Sequence, residues 1–228
     1  MTLEEMIYRR KSCRSFTGEK VGEELLAKIK AFPMKPLYPE IKVRWDIVPR
    51  NHVKCICPWT TPQLITIYSE ETEGYLENVG FMFQQMDLYL QSIGLGVCWL
   101  GMGKMSAKAA PATDGMRFVI MMAFGVPKGD PLRHEAKAFK RKRLEQIADR
   151  SDPRLETARL APSSVNSQPW YFKCTEDTIH VYCNRAGSRL DAGIALAHLY
   201  VANASTFRFS KGEVPQLDGY YYIGSVNI

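Results

Sequence analysis

The chain has 228 residues, enough for one large domain or two small intimate ones around a substantial core. An apolar fraction of 46% and a charged fraction of 24% exclude a disordered chain, and no run approaches the roughly 20 apolar residues needed to cross a bilayer. The net charge of +6 admits nucleic acid, a membrane surface or a phosphate-bearing ligand as partner, and its clustering at Arg9–Arg14 and Lys137–Arg143 favours local anion binding.

In chain order, Leu3, Met6, Ile7 and Arg10 recur at helical spacing and predict an amphipathic helix over 3–15, broken by Phe16-Thr17-Gly18. A second helix, Gly22 to Phe32, opens with acids where the helix dipole prefers them. Pro33, Pro36 and Pro39 then enforce an extended connection. Leu64 to Tyr68 is short and β-branched, as a buried strand is. Val79 to Ile93 is apolar nearly all round, which places that helix in the middle of the protein, and Gly94 is its C-cap. Phe118 to Phe124 is another buried strand, closed by Gly125-Val126-Pro127, and the polar segment Arg143 to Arg150 bridges to the second half.

That half predicts a helix over Pro153 to Leu160, a hairpin over Trp170 to Cys183 turning at Glu176-Asp177, and an apolar helix over Ala192 to Ala204. Strands follow at Phe207 to Phe209 and Tyr220 to Ile223. Each half thus offers helix, strand, apolar helix, strand. The opening MTLEEMIYRR has two acids and then two bases, unlike a secretory signal. The six cysteines are therefore expected as reduced thiols in a cytoplasm.

Three segments carry candidate chemistry. Ala161-Pro162-Ser163-Ser164-Val165-Asn166-Ser167-Gln168-Pro169-Trp170 offers hydroxyls, amides and exposed backbone in one tight loop, able to read the polar edges of a flat heteroaromatic; the plainer reading is a polar connection. Arg10 and Arg14 would lie one helical turn apart with Ser12 nearby, suiting a phosphate or polyhydroxyl chain; the alternative is a solvated basic face. Leu95-Gly96-Val97-Cys98-Trp99-Leu100-Gly101-Met102 lets a backbone approach a ligand closely, unless its glycines only end a helix.

Other signals are weaker. Cys55-Ile-Cys57 with His52 has the wrong spacing for a zinc knuckle and no second pair. His198 reads as a satisfied core histidine, and Gly94-Leu-Gly96 is too short for a dinucleotide fingerprint. Trp59, Trp99, Met121-Met122 and Tyr220-Tyr221-Tyr222 read as core or edge-strand residues.

Arg-Arg-Lys-Ser-Cys-Arg-Ser-Phe at 9–16 and Pro-Ser-Ser-Val-Asn-Ser-Gln-Pro-Trp at 162–170 resemble the two signatures of the nitroreductase family. The apolar helix before Gly94-Leu95-Gly96, the strand Phe118–Phe124 and the basic Lys140-Arg141-Lys142-Arg143 fall where that family has them. One departure matters: the family's Pro-Ser-Ser motif follows soon after the basic motif, whereas here Ala31-Phe32-Pro33-Met34-Lys35-Pro36 stands in that slot. The family's members are homodimers with FMN at the interface, and this chain resembles such a dimer fused into one polypeptide. The resemblance implies an α+β, nitroreductase-like fold with a central, mainly antiparallel sheet flanked by helices, in two pseudo-symmetric halves of about 1–145 and 146–228.

The same resemblance implies FMN as cofactor and NADH or NADPH as electron donor. Arg10, Lys11, Ser12 and Arg14 would contact phosphate, ribityl and pyrimidine, and Lys140 and Arg141, or Arg143 in a shifted register, would hold the phosphate. Pro162, Ser163, Ser164 and Asn166 would line the isoalloxazine from the other half, and Leu100 and Gly101 would approach its N5 side. The implied activity is hydride transfer through the flavin to a nitroaromatic, quinone or similar small electrophile by a ping-pong mechanism, with no protein acid or base assigned. The expected state is a cytoplasmic monomeric pseudo-dimer, open to further association, with no nucleic acid, membrane or metal partner. Two rival expectations are a flavin-binding protein without turnover and a nucleic-acid module working through 137–143, which would leave the Pro-Ser-Ser loop without a purpose.

Overall fold

The computed structural model describes residues 1–55, 59, 61–106, 114–135, 139–214 and 216–228; Cys57, Lys137 and Ala138, singled out above, lie outside them. The elements in chain order are α1 (Leu3–Ile7), α2 (Glu23–Ala31), β1 (Val43–Pro49), β2 (Val53–Lys54), β3 (Gln63–Ser69), α3 (Tyr75–Ser92), β4 (Gly96–Leu100), β5 (Lys104–Met105) and β6 (Arg117–Gly125). The second half follows with α4 (Glu156–Arg159), β7 (Trp170–Cys174), β8 (Ile179–Asn184), α5 (Arg189–Ala202), β9 (Arg208–Ser210) and β10 (Tyr220–Asn227).

Two four-stranded antiparallel sheets result, in the orders β1-β3-β6-β4 and β7-β8-β10-β9, with β2 and β5 forming a separate small ribbon. The chain traces one path twice. In each sheet two antiparallel strands precede a long helix, and the last strand then inserts between the second and the third. A continuous core runs from the first sheet through α3 and α5 to the second, which makes the chain an α+β protein.

Local chemistry accounts for the main elements. Every residue of β3 is buried because it is a central strand covered by α3, and its apolar, β-branched run suits that place. Gly94, at a φ of +88°, ends α3 as a left-handed cap that a side chain would strain. Ser188 caps α5 by accepting from the Leu190 N–H. Where α3 and α5 cross, a Cβ on Gly80 would stand 2.1 Å from the Leu190 carbonyl oxygen, and one on Gly193 would stand 2.1 Å from that of Glu77. The approach is reciprocal, and only glycine permits it from either side.

One expectation needs correction. The N-terminal helix stops at Ile7 rather than running to 15. Beyond it the chain is extended, because other partners take its backbone groups: Cys13 N–H donates to the Val97 carbonyl, Thr17 N–H to that of Val126, and Arg133 N–H to that of Arg9. Residues 96–100, directly after α3, form the edge strand β4, and Ser12 pairs in parallel with Val97 along that edge. The sequence reading also passed over β1, although Val43, Trp45 and Ile47 alternate with polar residues at the period of a strand. Among the described residues no helix is long and apolar enough to cross a membrane.

Candidate functional site

Arg10 is the most constrained charged residue of the N-terminal segment. Its guanidinium is 1% exposed, and Nε donates to Oδ1 of the fully buried Asp87 on α3 at 3.0 Å. The same oxygen accepts from Gln91 Nε2 at 2.6 Å, and Gln91 Oε1 accepts from the Lys11 N–H at 3.1 Å. One turn of α3 therefore holds the extended strand that carries Ser12 and Arg14. Arg10 Nη2 reaches the Ser12 hydroxyl at 3.5 Å.

The Pro-Ser-Ser loop approaches from the other half. Ser163 Oγ accepts from the Gln168 N–H at 2.9 Å, and the Ser164 N–H points at both carboxyl oxygens of Asp191, at 3.2 and 3.3 Å. Asn166 joins this loop to the basic segment: its Oδ1 accepts from Arg141 at 2.7 Å and its Nδ2 donates to the Lys140 carbonyl at 2.8 Å. Lys142 closes the same contact, its N–H donating to Gln168 Oε1 and its ammonium to the Ser167 carbonyl. These bonds hold the loop in an unfavourable shape, with φ of +46° at Val165, +58° at Asn166 and +48° at Gln168. A β-branched residue in that region costs about 1–3 kcal/mol, and Val165 is 95% exposed, so no burial offsets the cost.

A cavity of about 350 Å³ lies between the two halves. Ser12, Arg14, Trp99 and Gly101 line it from the first half, and Pro162, Ser163, Ser164 and Asp191 from the second. Leu76, Val119, Ile120 and Ile194 make its apolar surface. Beside Arg10 stand two more guanidiniums, Arg133 and Arg141, both over the Phe139 ring, with Arg133 also donating to the Arg10 carbonyl. Burial first, and then the neighbouring arginines, pull both guanidiniums down to about 10. Three guanidiniums gathered in buried and part-buried surroundings suit a phosphate dianion. The apolar slot with polar edges and the adjoining cations fit the two ends of FMN.

Of the residues expected at a site, the structure brings Ser12, Arg14, Gly101, Pro162, Ser163 and Ser164 to the cavity wall. Arg10, Arg141, Asn166 and the Lys140 backbone gather at its basic edge. The Leu100 side chain packs with Leu64, Met121 and Ala123, so only its backbone, as the resemblance implies, could serve a ligand. Lys11 takes part through its backbone only, and Arg143 is exposed and bonds to Gln146. Arg141 is the arginine of the basic segment that bonds to the Pro-Ser-Ser loop. His198 is a satisfied core residue, as expected: fully buried, with Nδ1 against the Thr157 carbonyl and Nε2 against Gln84, and burial pulls it down to about 3.

Sequence reasoning missed Asp87, Trp99, Arg133 and Asp191. Trp99 lines the cavity while its indole N–H donates to Gln84 at 3.3 Å. A signal existed for Asp87, the one acid within the apolar run Val79 to Ile93, which needs a buried partner.

A protein-family model described as "Putative TM nitroreductase" matches residues 2–203. The fold also matches a solved nitroreductase structure from Thermotoga maritima, at 23% identity and a TM-score of 0.72, covering 99% of this chain and 92% of that one. Nitroreductase family proteins from Clostridium novyi (19% identity, TM-score 0.44, 60% and 91% covered) and Clostridium difficile (16%, 0.49, 64% and 96%) are more distant. No curated protein matches the chain.

Proposed function

The chain belongs to this nitroreductase family, and on that premise we propose that it is an FMN-dependent oxidoreductase that takes hydride from NADH or NADPH and passes it to a nitroaromatic, quinone or similar electrophile. The observation that carries the reading is the convergence of two distant segments on one cavity. Ser12 and Arg14 of the basic segment and Pro162, Ser163, Ser164 and Val165 of the loop line one cavity, and the guanidiniums of Arg10 and Arg141 bond to Ser12 and Asn166 beside it. Arg133 and Arg141 would hold the phosphate with the buried Arg10 adding charge behind Ser12, Ser12 and Arg14 would hold the ribityl and pyrimidine region, and the 162–164 loop and Gly101 the ring edges. FMN when bound supplies the hydride chemistry. The chain supplies position, a cation at Arg14 that favours the anionic reduced form, and apolar walls that limit water. Donor and acceptor would use the one cavity in turn, hence ping-pong kinetics.

The repeated path of the chain supports the reading of a fused dimer, which we take to act as a monomer. The corresponding cleft of the other half is lined by the aromatic rings of Phe81, Tyr200, Phe207 and Phe209 with the 35–37 segment, and among the described residues it offers neither a Pro-Ser-Ser loop nor an arginine. The basic run 139–143 favours this reading over nucleic-acid binding, since Arg141 and Lys142 donate to loop oxygens rather than project freely.

The test is the absorption spectrum after reconstitution with FMN, followed by anaerobic addition of NADH or NADPH. The expected result is one FMN per chain and bleaching of the flavin bands. A flavin that binds but never bleaches would leave a binding protein without turnover, and no uptake of FMN would end the reading. Asn166→Ala, which cuts the link between the loop and Arg141, should raise the FMN dissociation constant about tenfold, roughly 1.4 kcal/mol. Fluorescence titration measures it, and an unchanged constant would mean that the link does not shape the site.

A further inference from the structure

We infer that Asp191 is the proton donor to the electron acceptor, a role that rests on the reading of the cavity as the flavin site. Reducing a C=O or N–O group needs a proton as well as a hydride: the hydride from reduced flavin adds to the acceptor, and its oxygen takes the proton from the carboxyl O–H. Asp191 is left as a carboxylate and recovers its proton from water.

Three observations support this. Asp191 is the one carboxyl among the described residues lining the cavity, and it is 3% exposed. Its surroundings keep a proton on it to unusually high pH, since burial raises it from 3.8 to about 6 against a smaller opposing effect of the Ser164 N–H. It also borders a second, more open cleft with Ser164, Val165 and Ser188, which gives water access from behind. Other titratable or charged groups face it from each side. Cys183 on β8 is held up to about 12 by burial, with Asp191 and Glu77 adding, and stays a neutral thiol. Glu77 on α3 is raised by burial and pairs with Arg189 at 3.5 Å. Arg14 and Cys98 share the cavity, Lys142 the open cleft, and burial raises the Cys98 thiol as well.

The plainer account is that Asp191 only anchors the Pro-Ser-Ser loop, and the repeated fold speaks against it. The reciprocal contacts of Gly80 with Leu190 and of Gly193 with Glu77 align Asp191 of α5 with Asn78 of α3. Asn78 Oδ1 accepts from the N–H groups of Leu37 and Tyr38, at 2.8 and 3.0 Å, and so anchors the matching segment with a neutral amide. An amide suffices for the anchor. The acid at 191 is thus free to serve chemistry.

The experiment is D191N in the FMN-loaded protein, with the two half-reactions followed separately by stopped flow from pH 5 to 8. For wild type, oxidation of the reduced protein by a quinone should slow above about pH 6, with an appreciable solvent deuterium effect. D191N should lose that pH dependence and react at least tenfold more slowly at pH 5.5, a change in profile that a loss of loop anchoring alone would not produce. The melting temperature should match wild type near pH 4 and exceed it above pH 6, because no carboxylate is then forced to ionise in the interior. A wild-type rate flat across the range, or an unaltered pH profile in D191N, overturns the inference. Failure of FMN uptake by wild type would instead remove the reading on which it rests.

Discussion

Replacing Asp87 by leucine is expected to lower the free energy of unfolding by about 3–5 kcal/mol, because it leaves the Arg10 guanidinium buried without its counter-charge. Both side chains are sealed from water, at 1% and 0% exposure, so solvent cannot stand in for the lost carboxylate. Asp87 Oδ1 also positions Gln91, which holds the Lys11 N–H. The variant therefore loosens the whole strand that presents Ser12 and Arg14, and FMN should dissociate at least tenfold more readily. Urea unfolding and fluorescence titration measure the two effects. A loss below about 1 kcal/mol would place this pair among ordinary surface ion pairs and would contradict its burial.

Adding a single methyl group at Gly80 or Gly193 should cost at least about 3 kcal/mol, the upper end of what overpacking a core costs. In each case the new Cβ meets a backbone carbonyl at 2.1 Å, and backbone cannot rotate aside as a side-chain tip can. The helices would have to separate, and the cavity between the halves would widen with them. Gly80→Ala and Gly193→Ala should thus behave alike in thermal unfolding and in loss of FMN. A melting temperature equal to wild type in either variant would show that the crossing is looser than its geometry states. A large effect in only one would break the reciprocity that aligns Asn78 with Asp191.

The pH dependence of stability follows from Asp191 by its sign. A carboxyl whose native value is raised to about 6 from 3.8 holds its proton more tightly in the folded chain. Its contribution is therefore greatest below about pH 4 and is lost as pH rises to about 6. The size is about 3 kcal/mol, from two units at 1.36 kcal/mol each.

Much of this molecule is readable from its residues in order. The buried strand Gln63–Ser69, the helices Tyr75–Ser92 and Arg189–Ala202 and the hairpin Trp170–Asn184 declare themselves through composition, periodicity and Gly94. Such signals are local: the side chains that decide the element lie within a turn or two of one another. The Pro-Ser-Ser loop was likewise visible as a cluster of turn-forming and hydrogen-bonding groups.

Tertiary structure decided the rest, and the reason is sequence distance. Residues 8–15 keep helical spacing on paper, yet they are extended because β4 and the segment 126–133 offer backbone partners that no local rule foresees. Arg10 looked like half of a solvated basic face, and its partner across 77 positions made it a buried anchor. Trp99 and Leu100 are neighbours on one edge strand, and the pleat sends one to the cavity and the other to the core. Asp191 stands just before the predicted helix Ala192 to Ala204 and carries no signal of its own. It became a cavity carboxyl because the second half folds its loop over it, a consequence of packing between halves that no window of sequence contains.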